Sequence, residues 1–76
     1  MRKLRSVKPR EVIRALGKAG FVLKRIKGSH HIMMNNKTGR TVSVPYSNKD
    51  MKPGTLRNLL RHSGLSREEF NAFLSD

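Results

Sequence analysis

The amino-acid sequence predicts an α+β fold, a three-stranded antiparallel sheet with helices packed on one face in the order α-β-β-β-α(-α). Three observations lead there. An apolar face at helical spacing runs from about Pro9 to Ala19, three short β-rich runs separated by glycine turns come next, and a second helical pattern begins after Pro53. With 76 residues the chain has room for a single domain and one modest core.

In the first helix Val12, Ile13, Leu16 and Ala19 share one face, Pro9 suits the first turn, and Gly20 ends the segment. Arg10, Arg14 and Lys18 share the opposite face as a basic stripe, either a solvated surface or a phosphate contact. Residues 1–7 read as a flexible basic arm. Phe21, Val22, Leu23 and Ile26 mark the first strand, 21–27, and Gly28-Ser29 turns the chain into a second, from His30 to about Asn35. After the Asn36-Lys37-Thr38-Gly39 turn, Thr41-Val42-Ser43-Val44 alternates polar and apolar, burying Val42 and Val44, and Pro45 ends the pairing. Met33 and Met34 read as core and surface members of the second strand.

The second helix carries Leu56, Leu59 and Leu60 and closes at Gly64. Thr55 or Gly54 is expected to cap its start. Free N–H groups there form either an ordinary cap or a phosphate site with Lys49 and Lys52. Ser66 with Glu69 is a capping box and Leu65 with Phe70 its hydrophobic staple, so a third helix starts at Ser66. Its Phe70, Phe73 and Leu74 face the core or a partner protein.

Seventeen Lys and Arg stand against five acidic residues, a formal net charge of +12 that favours a polyanionic partner, nucleic acid first. A membrane surface fits less well, because the cations are spread over strands, loops and helices. No cysteine is present, so neither a disulfide framework nor a thiolate metal site supports the fold, and a reducing, cytoplasmic setting is the expectation. The basic N-terminus lacks the apolar core of a signal peptide.

The stretch Lys27-Gly28-Ser29-His30-His31 concentrates the chemistry. Metal-free RNA cleavage needs a base for the 2′-hydroxyl proton, cationic or N–H groups for the charge on the phosphorane, and an acid for the leaving 5′-oxygen. An imidazole, with a reference pKa of about 6.5, can be the base. His30 is the candidate. Adjacent strand residues leave opposite faces, so His30 and His31 are poorly placed to act together on one phosphate. Lys24, Arg25, Lys27 and Arg40 are candidate phosphate clamps, and the Gly28-Ser29 backbone can approach an oxygen closely. Glu11, Asp50, Glu68, Glu69 and Asp76 all lie outside the hairpin, so no carboxylate is at hand to orient the imidazole. The acid is the second histidine, a lysine or water. Three His and no carboxylate spaced to join them argue against a metal site, and nothing calls for a cofactor. His62 reads as a favourable charge at a helix end.

The element order also occurs in double-stranded RNA-binding domains. With it in place, four blocks carry a specific resemblance: Leu16-Gly17-Lys18-Ala19-Gly20-Phe21; Lys27-Gly28-Ser29-His30-His31-Ile32; Val42-Ser43-Val44-Pro45; and Lys52-Pro53-Gly54-Thr55-Leu56-Arg57 with Leu59-Leu60-Arg61 and Gly64-Leu65-Ser66. The chain resembles the HicA family, small mRNA-cleaving toxins of bacterial and archaeal toxin–antitoxin pairs. The resemblance implies an endoribonuclease of double-stranded RNA-binding-domain-like fold, a single catalytic histidine corresponding to His30, an mRNA substrate and a cognate HicB antitoxin. An acidic antitoxin would suit a +12 protein. Two other readings stand beside it. One is a non-catalytic double-stranded RNA-binding module; the other is a DNA-binding protein using Arg57, Asn58 and Arg61 of the second helix.

Overall fold

The computed structural model describes residues 7–75, with helices α1 (Pro9–Lys18), α2 (Pro53–Ser63) and α3 (Arg67–Ser75) and strands β1 (Phe21–Lys27), β2 (His30–Asn35) and β3 (Thr41–Pro45). The order is the expected α-β-β-β-α-α. Of the arm expected over 1–7, residues 1–6 lie outside the described residues. Val7 belongs to the core, 1% exposed, and its carbonyl accepts the Met51 N–H at 2.7 Å.

Pro9 opens α1, and the Glu11 carboxylate accepts the Lys8 N–H at 2.9 Å, satisfying one donor at the helix start. Val12, Ala15 and Leu16 are buried while Arg10, Arg14 and Lys18 are exposed. The helix stops at Lys18, with Ala19 as its C-cap, and Gly20 turns the chain away at a φ of +104° that only glycine adopts cheaply.

The sheet has the order β1-β2-β3 with both pairings antiparallel. Val42 and Val44 are buried and Thr41 and Ser43 exposed, and Met33 is buried while Met34 is only partly covered. Pro45 does not end the pairing; it remains in β3 opposite His30. An edge strand tolerates the missing N–H. Helix α1 packs on β1 and β3, and α2 on β3. The helices therefore cover one face of the sheet and leave the other open. Val22 and Leu23, each 48% exposed, and Ile26, 56% exposed, remain outside this cover on the edge strand β1.

Helix α2 starts earlier than a Gly54 or Thr55 cap requires: Pro53 occupies its first turn and Lys52 is the N-cap, without a side-chain bond. Proline's fixed φ and missing donor favour that first-turn position. Leu56, Leu59 and Leu60 are buried, and Gly64 at φ +79° donates its N–H to the Leu60 carbonyl at 3.1 Å. The buried Ser63 hydroxyl donates to Leu60 O at 2.7 Å and accepts the Leu65 N–H at 3.1 Å, so this burial leaves no orphan. The capping box expected at the start of α3 forms: Ser66 N–H to Glu69 Oε1 at 2.9 Å, Glu69 N–H to Ser66 Oγ at 3.0 Å.

Helix α3 lies against α1, burying Phe70 and Leu74 in the core with Phe73 packed at its border. The face offered to a core or a partner thus goes to the core. A domain of this length holds about 4–11 kcal/mol of stability in all, and removing a buried Phe side chain costs about 3–5 kcal/mol. Phe70→Ala is accordingly expected to consume a large share of the folding free energy in urea denaturation. A loss under about 1 kcal/mol would contradict a fully packed Phe70.

Candidate functional site

The turn at Gly28-Ser29 sets the geometry of the hairpin. Lys27 and His30 are paired directly across β1 and β2, leaving a two-residue loop. Gly28 has a φ of +60°, and no residue other than glycine has positive φ among the described residues. Positive φ at the first loop position only is the pattern of a type II′ turn, whose twist matches that of the strands it joins. The Ser29 carbonyl accepts the Tyr46 N–H at 2.7 Å, tying the turn to the end of β3.

From the turn onward, β2 alternates. His31 pairs with Val44 and Met33 with Val42, so both face the helices; His30 pairs with Pro45 and Ile32 with Ser43 on the open face. The two imidazoles leave opposite faces, as strand geometry requires. Ile32 is half-buried on the open face and is not a member of the core.

Strand β1 does not alternate throughout. Leu23 pairs with Met33 and Arg25 with Ile32, so β1 contributes one residue more than β2 and bulges at Lys24. The bulge inverts the facing of the residues after it. With strict alternation from Leu23, Arg25 and Lys27 would face the helices and Ile26 the open side. Instead Ile26 pairs with His31, and Arg25 and Lys27 join His30 on the open face. Lys24 reaches the same face, its Nζ 3.9 Å from Met34 Sδ. Three cations and an exposed imidazole therefore share one solvent-facing surface.

Of the other site candidates, Gly28 and Ser29 form the turn that carries His30. Arg40 lies elsewhere: it flanks the opposite end of β2, roughly 17 Å from His30 at the rise of an extended strand. Its guanidinium donates to the His62 carbonyl at 3.5 Å, at the end of α2. Lys49 and Lys52 lie on the connection from β3 to α2, Lys49 with its N–H on Ser47 Oγ at 3.3 Å and Lys52 as the N-cap of α2. The His62 ring Nδ1 meets the Asn58 carbonyl at 2.9 Å, a helix-end contact.

Sequence reasoning sets Tyr46 aside, since one Tyr with three Phe is too sparse for a base-stacking platform, and so misses its contact with His31. The Tyr46 ring stacks on His31 with centroids 4.5 Å apart and planes at 24°, and His31 Nδ1 is buried without a hydrogen-bond partner. A lone tyrosine beyond a strand carries no local signal of this contact. Three of the five carboxylates are occupied away from His30: Glu11 and Glu69 at helix starts, Asp50 with Lys8 at 3.3 Å. No three acidic or histidine side chains gather in a metal-binding group among the described residues.

The open-faced sheet with helices on its other side is a double-stranded RNA-binding-domain-like α+β fold. Residues 9–65 match the family described as HicA toxin of bacterial toxin-antitoxin, and the chain belongs to that family. The match spans α1, the sheet and α2. No curated protein matches the chain. Membership makes the protein a toxin of a toxin–antitoxin pair and implies an antitoxin partner. No helix among the described residues is long and apolar enough to cross a membrane.

A β-carbon added at Gly28 meets nothing within 4 Å, so only the backbone conformation opposes a side chain there. Gly28→Ala and Gly28→Asn are each expected to cost about 1 kcal/mol, because the first position of a type II′ turn favours glycine. Thermal denaturation of both variants measures this. An alanine variant as stable as the parent would refute the positive φ.

Proposed function

We propose that this toxin is a metal-independent mRNA endoribonuclease in which His30 is the general base. The observation that carries the reading is the company His30 keeps: an exposed imidazole on an open sheet face, directly across from Lys27, with Arg25 one pair further along the same face and Lys24 beyond it towards Met34. His30 takes the proton of a ribose 2′-hydroxyl. The 2′-oxygen forms its bond to phosphorus, the bond to the 5′-oxygen breaks, and that oxygen leaves with a proton from Lys27 or water. The cations stabilise the additional negative charge on the phosphorane. His31, on the other face, takes no part as acid.

Backbone-directed attraction brings the RNA there, and a HicB-like acidic antitoxin covering the basic face would silence it. The fold equally suits a non-catalytic double-stranded RNA-binding module, which binds RNA and leaves it intact. Incubation of mRNA with the purified protein in EDTA separates the two. Cleavage is expected in the parent, with a rate lower by about 10²-fold or more in His30→Ala and RNA binding retained. Equal rates in parent and variant would sink the mechanism.

Lys27→Ala addresses the phosphate contact. It is expected to weaken binding of unrelated RNA sequences alike and to reduce the slope of log affinity against log salt by about 1. An unchanged slope in fluorescence-anisotropy titrations would remove Lys27 from the contact.

A further inference from the structure

At the end of the sheet that carries His30, the start of α1 and the segment after β3 enclose a cleft of about 170 Å³ lined by Lys8, Arg10, Tyr46, Ser47 and Asn48. Its chemistry is mixed in a particular way. Lys8 is neutralised within the fold, with Nζ 3.3 Å from Asp50 and 3.2 Å from the Asn48 carbonyl. Arg10 is exposed and has no such partner among the described residues. Tyr46 is 41% exposed while the stack on His31 holds its ring in place. An unmatched guanidinium favours an anion, and a fixed aromatic ring favours a planar partner at little ordering cost.

We propose that this cleft binds one nucleotide of single-stranded RNA, the neighbour of the phosphodiester held at His30, with its base on Tyr46 and its phosphate on Arg10. The proposal rests on the ribonuclease reading for its substrate. Phosphate alone would leave the ring uncovered, and a base alone would leave Arg10 unmatched. The cleft is smaller than the roughly 300–1,000 Å³ of sites that enclose whole small-molecule ligands, which suits a single nucleotide unit. The Tyr46 ring lies with His31 on the helix side and His30 lies on the open face, so the RNA would pass around the end of the sheet between them. Tyr46 directly follows Pro45, the partner of His30, and its N–H holds the Ser29 carbonyl. A base stacked on a side chain has left its helix, so the substrate at this point is single-stranded.

The test uses the full chain with His30→Ala, titrated separately with adenosine 5′-monophosphate, inorganic phosphate and adenosine and followed by NMR. The nucleotide is expected to shift the Arg10, Tyr46 and Ser47 signals, with phosphate and adenosine each binding at least about tenfold more weakly. Adding Arg10→Ala or Tyr46→Ala should raise the nucleotide Kd about tenfold, whereas Tyr46→Phe, which keeps the ring, should leave it within about twofold. Shifts scattered over the basic surface, or phosphate binding as tightly as the nucleotide, would overturn the cleft. The exposed Arg10 can be replaced without touching the core, so its variant remains informative if Tyr46→Ala perturbs the fold. These readouts do not depend on cleavage. A parent that binds the nucleotide in the cleft but leaves RNA intact refutes the catalytic role of His30 alone, and one that cleaves RNA with silent cleft signals refutes the cleft alone.

Discussion

The register of β2 is the constraint on which the rest of the molecule depends. This strand pairs on both sides, so each of its side chains is committed to a face by two neighbours at once. Met33 goes to the core against Val42 and His31 goes beside Val44, and His30 is thereby sent to the open face. A slip of one residue would bury His30 and expose Met33. Hydrophobic burial of Met33, Val42 and Val44 therefore holds the candidate catalytic group in place, although none of these residues touches it in the pairing.

A second device, the bulge at Lys24, acts on that framework from the edge. One extra residue in β1 converts a strand that would divide its cations between two faces into one that presents Lys24, Arg25 and Lys27 on the face of His30. It places Ile26 on the helix side beyond the reach of the helices, half exposed. The cost is modest local apolar exposure. The gain is a concentrated positive field at one end of an open sheet, and the bulge and lysines also make this edge a poor template for strand addition.

Charge and stability pull against each other in so small a chain. A net charge of +12 on 76 residues repels itself, and among the described residues the Lys8–Asp50 ion pair is surface-exposed and worth about 0–1 kcal/mol at most. Capping, glycine turns and a core running from Val7 to Leu74 carry the fold instead. The cations of β1 beside this framework are thus left facing solvent, available for a polyanion. Arg40 differs from them, lying on the C-terminal end of α2, where it serves the helix and not the hairpin.

Local chemistry made much of this protein legible. The element order, the Gly28-Ser29 turn, the alternation of β2 and β3 and the Ser66–Glu69 capping box all arise from interactions within a few residues, and each stands where the sequence puts it. The separation of His30 from His31 was legible for the same reason. Other features needed the whole fold. The apolar phase change from Leu23 to Ile26 hints at a bulge, but only pairing with β2 turns it into a rule for where Arg25 and Lys27 point. Val7 joined the core because Met51 reached back to it, Arg40 left the hairpin because the end of α2 lay beside it, and Tyr46 met His31 across two strands. By itself the sequence determined which segments are helix, strand or turn and that the surface is basic, since those depend on period, turn geometry and charge. Which cations and aromatic rings converge around His30 was decided by the tertiary structure, because contacts between distant segments depend on register and packing that no single segment contains.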